Sequence, residues 1–188
     1  MVMRATPLKN ILWSIFEVGE TLIISLVAVF LVRVFIAQPF LVSGSSMEPT
    51  FNDNNYLLID EISYRFREPE RGEVIVFRYP GNRKAFYIKR IIGLPGETIH
   101  VDRGKVTITM IDGTRERIGE SYIAPAWTSG DVETTLGEEE YFVMGDNRNF
   151  SFDSRSWGPL QEDDIIGLVR VRLWPVGEVM AFEKPAYE

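Results

Sequence analysis

The segment Ser43-Gly44-Ser45-Ser46-Met47-Glu48-Pro49-Thr50 puts several hydroxyls in a turn of small residues, where glycine permits a tight and accessible backbone. A serine there becomes a nucleophile only if a base takes its proton. Bases are scarce in this chain. It has no cysteine and one histidine, His100, which excludes thiolate chemistry and multi-histidine metal sites and leaves a Ser-His-Asp arrangement one imidazole to use. A lysine kept neutral by burial can serve instead. Of the five lysines, Lys9 precedes a long apolar segment, Lys184 is near the C-terminus, and Lys84 and Lys105 sit beside turn residues where water keeps them charged. Lys89 remains, in the strand-like run Phe86-Tyr87-Ile88-Lys89-Arg90-Ile91-Ile92. Lowering its pKa from about 10.4 to near 7 or 8 requires roughly 4 kcal/mol of environment unfavourable to the ammonium. Taken singly, the first segment is also a Ser-rich turn ended by Pro49, and Lys89 also a strand-surface lysine beside Arg90. The pair is what points to chemistry. His100 then needs no catalytic role.

A second group lies near the C-terminal end. Asp146, Asp153 and Arg155 carry opposite charges at close spacing, which predicts a salt-bridged framework rather than reacting groups. A calcium loop is the rival for Asp146, Asn147 and Asp153. The alternating acidic pattern with a following glycine and terminal glutamate is missing, so no metal is expected, and no cofactor is called for.

Two kinds of element must position these residues. From Ile11 to Ile36 the chain is almost wholly apolar, broken by Glu17, Glu20 and Arg33, with an uninterrupted core from Thr21 to Val32. A membrane span needs about 20 apolar residues, reached here if Arg33 snorkels to one headgroup layer and the glutamates lie near the other. The apolar residues surround the helix rather than forming one stripe, which favours a span over an interfacial helix. A cleaved leader is disfavoured, because cutting after Ala37 would put Phe35 where a small residue is wanted. Arg4 and Lys9 precede the segment, and the next cation after Arg33 is Arg65, so a cytoplasmic N-terminus and an extracytoplasmic remainder are expected. Residues 1–37 thus read as an anchor in the lipid bilayer and residues 38–188 as one soluble domain.

That domain reads as mainly β. Runs rich in Val, Ile, Tyr and Phe predict strands at Tyr56–Ile59, Glu73–Tyr79, Phe86–Ile92, Thr98–Val101, Val106–Ile111, Tyr141–Met144 and Ile166–Leu173. Turns are expected at Pro80-Gly81-Asn82, Leu94-Pro95-Gly96, Asp102-Arg103-Gly104 and, as a hairpin, Asp112-Gly113. The stretch from Trp127 to Glu140, acidic and threonine-rich, reads as a surface loop, and no intervening segment has helical periodicity. The net charge of −7 argues against nucleic acid as a partner.

The motifs Ser46-Met47-Glu48-Pro49-Thr50, Arg71-Gly72-Glu73-Val74-Ile75-Val76-Phe77, Tyr87-Ile88-Lys89-Arg90-Ile91-Ile92-Gly93-Leu94-Pro95-Gly96-Glu97 and Gly145-Asp146-Asn147-Arg148 through Ser151-Phe152-Asp153-Ser154-Arg155 occur in that order. Together they resemble the ordered motifs of bacterial type I signal peptidases, from the anchor to Ile165-Ile166-Gly167, and the single apolar segment is similar to that of short, one-span members. The resemblance implies a β-fold of antiparallel sheets around a Ser/Lys dyad on the extracytoplasmic side, removing signal peptides from secreted preproteins after small-x-small sites. Ser46 would attack, Lys89 would be the general base and Ser151 would orient the Lys89 amine. The Ser46 backbone would be one oxyanion donor, while Gly44 stands where some members have a serine, leaving the second donor open. The signal-peptide end would lie as an added strand, with Phe40, Val42, Met47, Tyr87 and Ile88 as candidate lining. No pattern names a partner in the export machinery. Two rival functions are a self-cleaving Ser/Lys regulator, which would need a DNA-binding element where the apolar segment stands, and a membrane-tethered β module that binds peptides without cutting them.

Overall fold

The computed structural model describes residues 7–35, 37–123, 128–183 and 185, so Arg4, Trp127 and Lys184 lie outside the described residues. The chain divides into two compact units, Met1–Ala37 and Gln38–Glu188.

The first unit is helix α1, Pro7–Phe35, of 29 residues, about 43 Å long at 1.5 Å per residue. Its segment Ile11–Val29 has a mean hydropathy of 1.8 and is long enough for a hydrocarbon core of about 30 Å. Ile11, Trp13, Phe16, Leu22 and Val27 are all exposed, so the apolar surface runs around the helix rather than along one stripe. The Thr21 and Ser25 hydroxyls donate to the carbonyls of Glu17 (2.9 Å) and Thr21 (2.8 Å), which satisfies their polarity inside the helix.

The second unit is built of strands β1 (Ala37–Leu41), β2 (Tyr56–Asp60), β3 (Val74–Tyr79), β4 (Asn82–Gly93), β5 (Thr98–Asp102), β6 (Lys105–Thr109), β7 (Arg115–Arg117), β8 (Val132–Thr135), β9 (Glu140–Met144), β10 (Leu160–Gln161), β11 (Ile165–Trp174) and β12 (Met180–Ala181). A one-turn helix, α2 (Ser154–Trp157), follows β9. Among the described residues the larger sheet has the order β1-β2-β11-β3-β4-β9-β10, with β12 on β11, and the smaller one the order β7-β6-β5-β8. The pairs from β2 onward are antiparallel, so the fold is mainly β as expected.

Both faces of the larger sheet are covered, which is why β3 reads as a continuous apolar run rather than an alternation. Val74 and Val76 pack with Val42, Met47, Phe51, Leu57, Ile59 and Val169. Ile75 and Phe77, on the opposite face, pack with Ile91, Tyr141, Val143 and Leu160. Strand β9 joins two cores by the same period of two: Tyr141 and Val143 belong to the second, whereas Phe142 and Met144 join Ile92, Ile99, Val101, Val106 and Ile108 against the smaller sheet.

Several expectations need correction. The stretch read as a loop up to Glu140 contains β8, which pairs with β5 from Thr98↔Thr135 to Val101↔Val132. Val132 packs on the core while Glu133 points out, an alternation too short to stand out among acidic residues. Helix α2 was not expected because one turn cannot show a 3.6-residue period. Its signal is local: the Asp153 side chain accepts from the Arg155 amide as an N-cap. Strands β1, β7, β10 and β12 were also unforeseen. The turn at Pro80-Gly81 is tighter than read, since Asn82 already pairs with Tyr79 in the ladder. Asp102 and Lys105 pair across Arg103-Gly104, and β6 and β7 form a hairpin closed by Met110 and Gly113 around Asp112.

Candidate active site

The loop between β1 and β2 is closed at its base by Val42 and Asn55, with the Val42 amide donating to the Asn55 carbonyl at 2.9 Å. Its two apolar residues, Met47 (1% exposed) and Phe51 (0%), plug the core beneath it. Ser46 is therefore held at the rim, half-buried, immediately before a buried anchor. Gly44 has φ +99°, a left-handed backbone that a side chain resists, and its amide donates to Asp53 Oδ1 at 2.8 Å. That bond occupies the Gly44 N–H, which therefore does not supply a second oxyanion donor. The Ser46 amide makes no hydrogen bond among the described residues and is free to donate.

Lys89 lies on β4, paired across the ladder with Ile75. It shares the sheet face of Tyr87 and Ile91, and its Nζ lies 5.6 Å from the Tyr87 ring centre. Nζ is 2.7 Å from Ser46 Oγ and 2.8 Å from the Ile88 carbonyl. The residue is 4% exposed, and burial pushes its pKa down from 10.5 to about 8, with the carboxylates of Asp153 and Asp146 pulling the other way. Lys84 and Lys105, by contrast, are exposed.

The neighbouring residue, Arg90, is equally buried and points to the opposite face. It forms a bidentate pair with Asp146, Nε to Oδ1 at 2.8 Å and Nη2 to Oδ2 at 2.7 Å. The Thr50 hydroxyl also donates to Asp146 Oδ2, at 2.6 Å. Asp153 is paired with Arg155 through Nε and Nη2, both at 2.8 Å, and accepts from the Gly145 amide at 3.0 Å. The expected framework of Asp146, Asp153 and Arg155 is thus two separate ion pairs, because Asp146 turns to a strand 56 residues away in sequence rather than to its near neighbour. Arg148 adds a third, buried against Glu120, and its Nε donates to the Gly145 carbonyl at 3.0 Å.

These pairs fix a loop that grips the serine turn. The Asn147 amide donates to the Ser46 carbonyl and its side-chain Nδ2 to the Ser45 carbonyl, each at 3.0 Å. Gly145 lies so close that a Cβ there would run into the Ser46 carbonyl and the Ser151 hydroxyl. Ser151 Oγ is buried and has no hydrogen-bond partner among the described residues.

A cleft of about 470 Å³ opens over this arrangement. Phe40, Val42, Tyr87 and Ile88 line it together with Ser46 and Lys89. Met47 does not; it belongs to the core, since the turn that exposes Ser46 drives the next side chain inward. Tyr87 and Ile88 point to opposite faces, packing on different cores, yet both border the cleft. His100 sits on the smaller sheet with Nε2 3.2 Å from Thr109 Oγ1. Sequence reasoning missed Arg90, Thr50, Asn147 and the aromatic residues Phe150 and Phe152. A cation in the middle of an apolar strand was the available sign for Arg90, because a buried guanidinium must meet a carboxylate.

Comparison with known proteins shows the family of the chain. Over 170 residues the chain is 40% identical to the probable signal peptidase I-2 of Synechocystis sp., covering 87% of this chain and 75% of that protein. Signal peptidase I of Leptolyngbya laminosa is 38% identical, covering 85% and 80%, and signal peptidase I V of Bacillus subtilis is 34% identical, covering 78% and 92%. A crystal structure of a signal peptidase I from Enterococcus faecalis superposes on 54% of this chain and 97% of its own, at 31% identity and a TM-score of 0.47. The model of one family, described as signal peptidase, peptidase S26, matches residues 15–174, a span that includes the serine turn, β4 and the loop that clasps them, and the chain belongs to that family.

Proposed function

We propose that this protein, a serine endopeptidase by its family, is held in a membrane by α1 and removes signal peptides from secreted preproteins after small-x-small sites through a Ser46/Lys89 dyad. The observation that carries the proposal is a neutral-capable amine 2.7 Å from a serine hydroxyl. As Ser46 Oγ bonds to the scissile carbonyl carbon, its proton passes to the Lys89 Nζ lone pair. The oxygen of the tetrahedral intermediate takes the negative charge, and the free Ser46 amide donates to it. The carbon–nitrogen bond then breaks, Lys89 returns the proton to the leaving amine, and a Ser46 ester is left. Water, deprotonated by the same amine, hydrolyses the ester and regenerates Oγ–H.

The supporting groups act by position. Ser151 has a hydroxyl beside Gly145 with no partner among the described residues, available to orient the amine when the ammonium forms. Asp146, Asp153 and Arg155 hold the loop that clasps the serine turn, and the two carboxylates stabilise the transient ammonium. Phe40, Val42, Tyr87 and Ile88 give the cleft an apolar lining for the signal-peptide end.

The test uses the full chain in detergent and a preprotein with one small-x-small site, comparing wild type with Ser46→Ala and Lys89→Met. A single cut by wild type, with each variant slower by about 10³-fold or more, is expected. Cleavage that survives Lys89→Met removes the dyad, and a folded wild type without turnover makes the protein a peptide-binding module.

A further inference from the structure

The cleft over Ser46 is lined by four phenylalanines. The rings of Phe40 and Phe86 meet edge to face at 5.8 Å. Phe150 and Phe152 flank Ser151 in the loop that clasps the serine turn. Phe152 is 51% exposed and rests on Tyr79 at 5.8 Å, and Tyr79 is itself stacked on Tyr87 at 4.8 Å. Phe150 is 75% exposed and has no ring partner among the described residues, while its amide is fixed to the Asn147 carbonyl at 3.0 Å. Both rings are thus left largely uncovered.

Neither ring adds to the core at this exposure, so their apolar surface is free to be covered by a ligand. The charge of the cleft points to the kind of ligand. Although the chain carries −7 overall, Lys89 is the only charged side chain among the residues that line the cleft. An uncharged, apolar group is what fits such a lining. The rings share one cavity with the nucleophile and its base, so the occupant is the segment being cut rather than a lipid surface.

We propose that Phe150 and Phe152 are specificity-determining residues that take a large apolar side chain of the substrate within a few residues of the scissile bond. This selection is additional to the small side chains expected at the cut, and it rests on the function proposed above. Covering a leucine rather than an alanine against such a wall is worth roughly tenfold in kcat/KM.

The experiment uses the full-length protein in detergent and peptides with a single small-x-small site. Each position from four before to two after the cut, other than the small ones, is set in turn to Ala, Leu or Asp. At one or more positions wild type should favour Leu over Ala by about tenfold and reject Asp. Phe150→Ala or Phe152→Ala should bring the Leu/Ala ratio close to one, mainly through KM, while Phe150→Leu keeps most of it. Phe66→Ala, at an 84% exposed residue outside the cleft, should keep the wild-type ratio. A ratio that neither alanine variant changes overturns the proposal, as does a loss spread evenly over all peptides. Loss confined to preproteins in phosphatidylcholine vesicles, with every peptide ratio intact, assigns the rings to lipid and also overturns it. Should wild type cut no peptide at all, the proposed function falls and this selectivity with it. Ser46-dependent cutting that ignores both rings removes the aromatic wall alone.

Discussion

Replacing Lys89 by methionine should abolish turnover and yet make the fold more stable at neutral pH. The Lys89 pKa falls from 10.5 to about 8 because burial disfavours the ammonium, which corresponds to about 3 kcal/mol at 1.36 kcal/mol per pH unit. A pKa lowered in the folded state means that the unfolded chain binds more protons between about pH 8 and 10.5, so stability rises with pH across that window. Below pH 8 the penalty is fully present, and above 10.5 it is absent. Methionine has similar volume and no charge, and it removes the penalty at the loss of the hydrogen bonds to Ser46 Oγ and the Ile88 carbonyl, about 1 kcal/mol net. The remaining gain of about 2 kcal/mol corresponds to a Tm higher by about 4–8 °C in a chain of this size. Thermal unfolding of both full-length proteins in detergent, followed by near-UV circular dichroism at pH 7 and pH 10, measures it. The difference should be largest at pH 7 and gone by pH 10. A methionine variant that melts at or below wild type at pH 7, or whose advantage is the same at both pH values, refutes a desolvated Lys89.

Activity should follow the opposite side of the same titration. With a base whose pKa is about 8, the neutral fraction rises from about one tenth at pH 7 to about nine tenths at pH 9, so kcat/KM should climb about tenfold; an acidic limb centred near 10 would show an exposed amine instead. Gly145→Ala forces a Cβ into the Ser46 carbonyl and Ser151 and should lower kcat by about 10²-fold for a stability loss of only about 1–3 kcal/mol, read by pairing rate with urea midpoint. Arg90→Met leaves Asp146 buried without its bidentate partner and should cost about 3–5 kcal/mol, much of it recovered by adding Asp146→Leu. Thr50→Val removes one donor from the same carboxylate and should cost about 1–3 kcal/mol in chemical denaturation.

What could be read from the chain alone was what is local or limited by chemistry. Strands β3, β5 and β9 are visible because apolar and β-branched residues run between turn signals, and the Ser46/Lys89 pair emerges because the chain offers so few bases. Pairings between distant segments were not visible. Nothing in the spacing of Asp146 directs it to Arg90 rather than to Arg155; the choice is made by the ladder that sets Arg90 opposite Met144. Met47 looked like pocket lining because it adjoins Ser46, but a turn sends adjacent side chains to opposite sides of the backbone. Strand β8 was hidden by its polar residues, with Glu133 and Thr135 facing outward and one valine left to mark the core.

Lys89 and Arg90 are adjacent basic residues with contrary needs, one with a lowered pKa beside a hydroxyl and the other fully charged against a carboxylate. The pleat of β4 keeps them apart, one on each face of the sheet. Parity in this strand is therefore a chemical constraint as well as a packing one. Deleting a single residue between the Pro80-Gly81 turn and Lys89, with the turn-side pairing kept, would send the amine toward Asp146 and the guanidinium toward Ser46. Ser46 would then face a group that cannot give up its proton, while a carboxylate would hold the amine in its charged form. Length changes in β4 are consequently tolerable in steps of two, or at the turn, and lethal to turnover in steps of one, even where every apolar residue finds a place.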